Sequence, residues 1–200
     1  MEQKAFMTIT ELDQLKALSD PLRNQILTIL VEKSFTGQQL SKHFEISRSK
    51  IHYHLNELEK FGFIQVVHTE VKNGFEQKFF RAVARGFIPC DSLLPYQTEV
   101  GDYYRQVALN ILGRAKTRVI SAPQESFQMY DDQFEKWPRL LMQLEAKVSE
   151  KKLIEWIAKY RKLVKEFYNM EEDEEGKWFY LTTLGFQMDL PHFEHKKEDE

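Results

Sequence analysis

Residues 36–65 read TGQQLSKHFEISRSKIHYHLNELEKFGFIQ. Thr36 is a good N-cap for a helix over TGQQLSKHF, where Leu40 and Phe44 stand four apart on one face. Glu45-Ile46-Ser47 is too short for a helix of its own and makes a tight turn. Ser47 caps the next helix, RSKIHYHLNELEKFG, which stops at Gly62. Ile51, Leu55 and Leu58 form the inward stripe of that helix. Arg48, Ser49, Lys50, His52, Tyr53 and Asn56 project from its outer face, most of them in its first two turns. These side chains bond phosphates and base edges, and their place suits a helix whose N-terminal half enters a major groove about 12 Å wide. A polar solvated face reads the same way when taken alone, so the flanks decide.

Upstream, Thr10–Leu18 (TELDQLKAL) has Leu12, Leu15 and Leu18 at helical spacing, with Thr10 as its cap. Asp20-Pro21 opens a second helix, with proline where a missing N–H does no harm. Leu22, Ile26, Leu27, Ile29 and Leu30 make its apolar face. Downstream, Phe63–His68 and Phe75–Arg81 have the aromatic and branched composition of strands. Lys72-Asn73-Gly74 supplies the hairpin turn, since Asn-Gly tolerates positive φ. Helices, a short turn, a further helix and a hairpin with a basic tip spell a winged helix-turn-helix. In that arrangement Lys72, Asn73 and Lys78 reach the DNA backbone or minor groove, and Thr36, Gln38, Lys42 and Ser47 address phosphates from the turn side.

LKALSDPLRNQILTILVEK, and the run from Ser47 to Ile64 with His52, His54, Leu55, Leu58 and Gly62, resemble the ArsR-type winged-helix repressors of bacteria and archaea. The resemblance covers about residues 12–85. It implies a dimeric transcriptional regulator that binds a short inverted repeat, with Ser47–Phe61 as recognition helix. The paired cysteines of metal-sensing members are absent from Thr36–Phe44, so no metal-thiolate switch is expected. The long C-terminal extension lies outside the minimal family and is similar to larger ArsR-like proteins with an added helical domain.

Composition agrees with a globular chain: of 200 residues, 42% are hydrophobic and 30% charged, and glycine plus proline total 14. The net charge of −3 hides an asymmetry, with +2 over residues 1–86 and −5 over 87–200. One cysteine, Cys90, excludes a disulfide scaffold and a multi-cysteine metal cluster, and suits a reducing compartment. Cys90 reads as a small semi-buried residue and not as a redox switch. No apolar run reaches a membrane span and no apolar signal core opens the chain, so a cytoplasmic protein is expected. His52 and His54, two apart, point to opposite sides of a helix and cannot share an ion. No metal site or cofactor is expected. Nor is an enzyme, because there is no Gly-rich phosphate loop, G-x-S-x-G or H-E-x-x-H.

The prolines of FIPCDSLLP (87–95) mark a seam, giving a DNA-binding domain over 1–88 and a helical dimerisation or effector domain over 89–200. The second part reads as a helix from Gln97 to about Ile120, a helical stretch from about Gln133 or Lys136 to Met170, and a strand over Lys177–Leu190. The apolar stripe of the second stretch is interrupted at Ser149–Lys152, which allows a kink or two helices. The fold class is α+β, mainly α. Trp156 and Tyr160, with Phe127, Tyr130 and Trp137, are the candidates to line a pocket for a small apolar effector. The function expected is sequence-specific regulation of transcription by a homodimer, with duplex DNA as partner. The rival is a winged helix kept as a protein–protein interaction scaffold, which has no reason to carry a basic outward helix face and a basic wing tip.

Overall fold

The structure, a computed structural model, describes residues 3–72, 74–128 and 138–193. It divides after Ser121 into two units, 1–121 and 122–200. The first unit holds β1 (Lys4–Ile9), α1 (Leu12–Ser19), α2 (Pro21–Glu32), β2 (Phe35–Thr36), α3 (Gly37–Phe44), α4 (Arg48–Lys60), β3 (Ile64–Lys72), β4 (Phe75–Ala82), β5 (Ala84–Pro89) and α5 (Gln97–Ser121). The second holds α6 (Glu150–Tyr168). No helix among the described residues is long and apolar enough to cross a membrane.

The predicted caps account for most helix starts. Asp20 Oδ1 accepts from Arg23 N at 2.8 Å, Thr36 Oγ1 from Gln39 N at 3.2 Å, and Ser47 Oγ from Lys50 N at 3.3 Å. α1 departs by one residue: its N-cap is Glu11, not Thr10, and Gln14 Oε1 accepts the Thr10 and Glu11 backbone N–H groups at 3.0 and 3.3 Å. Between α3 and α4 the chain turns through Glu45 at φ 56°, the left-handed region.

Two sheets flank these helices. β3, β4 and β2 form an antiparallel sheet of order β2-β4-β3, in which Lys72 pairs with Phe75, so the wing closes through two residues. Gly74 sits at φ +76°, which a side chain at that position would oppose. β1 and β5 pair in parallel, Met7 beside Phe87. β1 has no signature in the sequence, because KAFMTI buries only Ile9 and shows no clean alternation. β5 replaces part of the segment read as an inter-domain seam.

The first unit's core is built where the stripes meet. Leu15, Leu18, Ile26, Leu30, Leu40, Ile51, Leu55, Leu58 and Phe63 are completely buried. α5 joins this core and does not begin a separate domain. It packs on α1 and α2. The Tyr103 hydroxyl donates to Phe87 O at 2.7 Å, and its burial pushes the phenol's pKa up. Asn110 Nδ2 donates to Asn24 Oδ1, and Asn24, itself buried, donates to Leu18 O at 2.8 Å. Arg118 pairs with Glu32 at 2.8 Å and Arg114 with the same carboxylate at 3.9 Å. The division after Ser121 therefore replaces the seam expected at 88/89, because apolar and polar contacts alike hold α5 to the DNA-reading unit.

The second unit differs from its expected form. Residues 138–149, read as the front of a long helix, are not helical, and α6 starts only at Glu150, capped by Ser149 Oγ accepting from Lys152 N at 3.4 Å. That cap coincides with the break in the apolar stripe at Ser149–Lys152. Lys177–Leu190 forms no strand, having no strand beside it among the described residues to satisfy its backbone. Among the described residues of this unit none is buried.

Candidate nucleic-acid interface

α4 is anchored by one face and presents the other. Ile51, Leu55 and Leu58 are completely buried, whereas Arg48, Ser49, Lys50, His52, Tyr53 and Asn56 are all exposed. At roughly 100° per residue these six spread over about 200° of the helix surface, with Arg48, His52 and Asn56 in one row. The Ser47 and Ser49 hydroxyls lie 3.1 Å apart at the helix N-terminus, where unpaired N–H groups favour an anion. His52 is exposed, yet its ring lies over Gly37 at the start of α3, so close that a Cβ there would stand 3.2 Å from Nε2. Glycine at 37 thus lets α3 and α4 approach at the turn.

The flanking residues separate into three groups. Lys42 on α3 and Lys78 on β4 are exposed. Gln38 is half-buried and accepts from Gln77 Nε2 at 3.4 Å, tying α3 to the wing. Thr36 is the correction: its Oγ1 accepts the Gln39 N–H as the cap of α3, and its side chain is buried there, away from any phosphate. Asn73 lies outside the described residues, and of Lys72 only the backbone, the last residue of β3, is described.

Some contributors escape a reading of the sequence. Arg23 fixes α4 from behind: its Nε donates to Ala17 O at 2.7 Å and its guanidinium lies 3.8 Å from Glu57 of α4. Arg23 is legible in the sequence only as part of the second helix's polar face. On the wing, His68 stacks on Phe79 with ring centroids 4.0 Å apart, beside a register shift between Val66 and His68. A bulge of that kind has no signature in single-sequence spacing.

His54 is buried among the α4 packing residues, and neither ring nitrogen has a hydrogen-bond partner among the described residues. It packs as a core residue. Burial holds its pKa below the ordinary 6.5; Asp20 opposes that shift, while Arg23 and Lys50 add to it. A histidine lowered in the folded state is protonated first in the unfolded chain, so its contribution is full above about pH 6.5 and lost as pH falls below it. The melting temperature should hold between pH 8 and 7 and decline under pH 6.5, and His54→Leu should flatten that decline. Equal slopes for the two chains would show that His54 does not drive it.

Of the candidate pocket residues, Trp156 and Tyr160 come together on α6, their rings stacked 5.4 Å apart at 10°. Phe127 lies exposed in a 3-10 turn (Gln124–Phe127), and Tyr130 and Trp137 lie outside the described residues. Cys90 is half-buried, and a hydrogen bond with Ser92 at 2.8 Å lowers its thiol pKa.

Three comparisons bear on this site. Residues 20–66, which run from the α2 cap into β3, match the family described as bacterial regulatory protein, arsR family. The transcriptional repressor SdpR of Bacillus subtilis (strain 168) is 42% identical over 45 residues, 22% of this chain and 50% of that protein. The chain thus spans about half the length of the curated relative it matches. A solved structure of a double mutant of Lactococcus lactis ZitR in apo form aligns over 77% of this chain and 86% of that one. It is 12% identical to this chain, with a TM-score of 0.28. Built from α2, α3 and α4 and running into the first strand of the wing, residues 20–66 form a helix-turn-helix similar to that of the arsR family of bacterial regulatory proteins.

Proposed function

We propose that the chain is a sequence-specific DNA-binding regulator of transcription, acting as a homodimer on an inverted repeat. One observation carries the reading: α4 buries its apolar stripe completely and turns six polar side chains outward from its first three turns. Lys50 and Asn56 address base edges in the major groove, with Arg48, Ser49, His52 and Tyr53 around them. Ser47, Lys42 and Lys78 address phosphates, and Lys72 and Asn73 at the wing tip belong with them. SdpR is named a repressor, and repression is the sign of regulation that this likeness favours. A protein of this kind works where the DNA is, in the cytoplasm of a cell without a nucleus.

The dimer is supported by α5. Its inner face is committed to α1 and α2, but Tyr104, Leu112 and Val119 remain 50, 52 and 54% exposed. They fall within about 80° of one another around the helix. A second copy placing its own α5 there covers the stripe with the same stripe, as two-fold symmetry requires. Half-sites then lie about 34–36 Å apart.

Fluorescence anisotropy against salt tests the phosphate assignments. Lys42→Gln and Lys78→Gln are each expected to weaken binding to all duplexes alike and to lower the slope of log K against log salt by about one. A variant that changes base preference and leaves the slope untouched would contradict them.

A further inference from the structure

We propose that α6 pairs antiparallel with α6 of a second copy, bringing Glu171–Glu175 of each chain to the first turn of the other's α6 at Lys152. This pairing rests on the homodimer reading and adds a second contact to it.

The apolar face of α6 comes first. Leu153, Trp156, Ile157, Leu163, Val164 and Phe167 flank Tyr160 within an arc of about 120°. Along the seam the steps 153, 156, 160, 163 and 167 alternate three and four, the spacing that packs one helix against another. Residues after α6 cover the face only in part: the Tyr160 and Thr183 hydroxyls are 2.8 Å apart, yet Trp156 and Leu163 remain 57 and 60% exposed.

The pattern also specifies its partner. The seven positions are symmetric about Tyr160, so an antiparallel copy sets Leu153 against Phe167, Trp156 against Val164 and Ile157 against Leu163. Every apolar residue then meets an apolar residue across a two-fold axis through Tyr160.

Charge fixes the direction. α6 carries six Lys or Arg and three Glu, net +3, and the five residues Glu171–Glu175 that follow its end are all acidic. In an antiparallel pair each acidic run emerges beside the other helix's N-terminus, where Lys152 flanks the seam and the first turn, Glu150 included, is net positive together with its unpaired N–H groups. In a parallel pair the two acidic runs would lie side by side. The same run disfavours an anionic membrane as the cover, although a basic amphipathic helix would otherwise suit one.

The test uses the full chain in a Cys90→Ser background. Leu153→Cys and Phe167→Cys chains are made separately, mixed and mildly oxidised, while sedimentation gives the oligomeric state. The mixture should yield a 153–167 cross-linked dimer, and neither chain alone should cross-link efficiently. Replacing Glu171, Glu172, Glu174 and Glu175 with Lys should cut the cross-link at least about tenfold, through like charges facing each other. Adding Lys152→Glu to that chain should restore part of it, a rescue that a merely structural role would not give. Efficient 153–153 bridging overturns the antiparallel pair. So does a dimer without the 153–167 bridge, including one whose α6 binds phosphatidylglycerol vesicles instead. A monomer by sedimentation overturns the homodimer reading itself.

Discussion

A Leu112→Glu chain is expected to dimerise about a hundredfold more weakly than the natural one and to lose affinity for its operator in step. Leu112 is half-exposed on the outer face of α5, between Tyr104 and Val119. In the isolated chain a carboxylate there costs little, because water reaches it. Across a two-fold axis two carboxylates would face each other in a seam from which water is excluded, at a cost of several kcal/mol, and about 2.7 kcal/mol already corresponds to a hundredfold in a dissociation constant. The effect on DNA follows from linkage. Two half-sites held by one dimer gain about 10²–10⁴ in avidity over a single engagement. Sedimentation equilibrium and anisotropy on the same chain check both parts. A dimer of unchanged strength would remove α5 from the interface.

The second large effect is one of specificity. Lys50→Ala and Asn56→Ala should each alter which base is preferred at one position of the half-site, by about 1–3 kcal/mol, with little change in affinity for unrelated duplexes. Both residues are exposed on α4 opposite a fully buried stripe, so neither change should disturb the fold. Arg23→Ala offers the contrast: it removes the contacts to Ala17 O and Glu57 that hold α4 from behind, and should weaken stability before it touches base preference. A base preference that survived both α4 changes would mean that α4 meets the groove with a different face.

The helix-turn-helix is legible in sequence because its signals are local. Asp20, Thr36 and Ser47 each cap the helix that their position predicts, Ile51, Leu55 and Leu58 are buried as their spacing requires, and Gly74 takes the positive φ expected of the hairpin turn. What is not legible depends on distant partners. β1 exists because β5 lies beside it, eighty residues along the chain, and its own residues carry no alternation. α5 reads as the start of a new domain until Asn24 meets Asn110 and Tyr103 meets Phe87. Thr36 illustrates a conflict within one residue: the hydroxyl that makes a good cap is, once capping, buried and unable to reach a phosphate. Lys177–Leu190 has the composition of a strand, but composition cannot supply the neighbour that a strand needs. The outward face of α4 is exposed as its spacing predicts; what it touches is a property of the complex.

The reading of the whole chain turns on whether it selects a DNA sequence. Selection from a random duplex library, with anisotropy of the winners across a salt series, measures that directly. An enriched inverted repeat, bound at least about 10³-fold more tightly than scrambled duplex and with half-sites about one helical turn apart, is the expected result. Sequence-indifferent binding that vanishes near physiological salt would contradict it, and would point to a winged helix retained for protein partners.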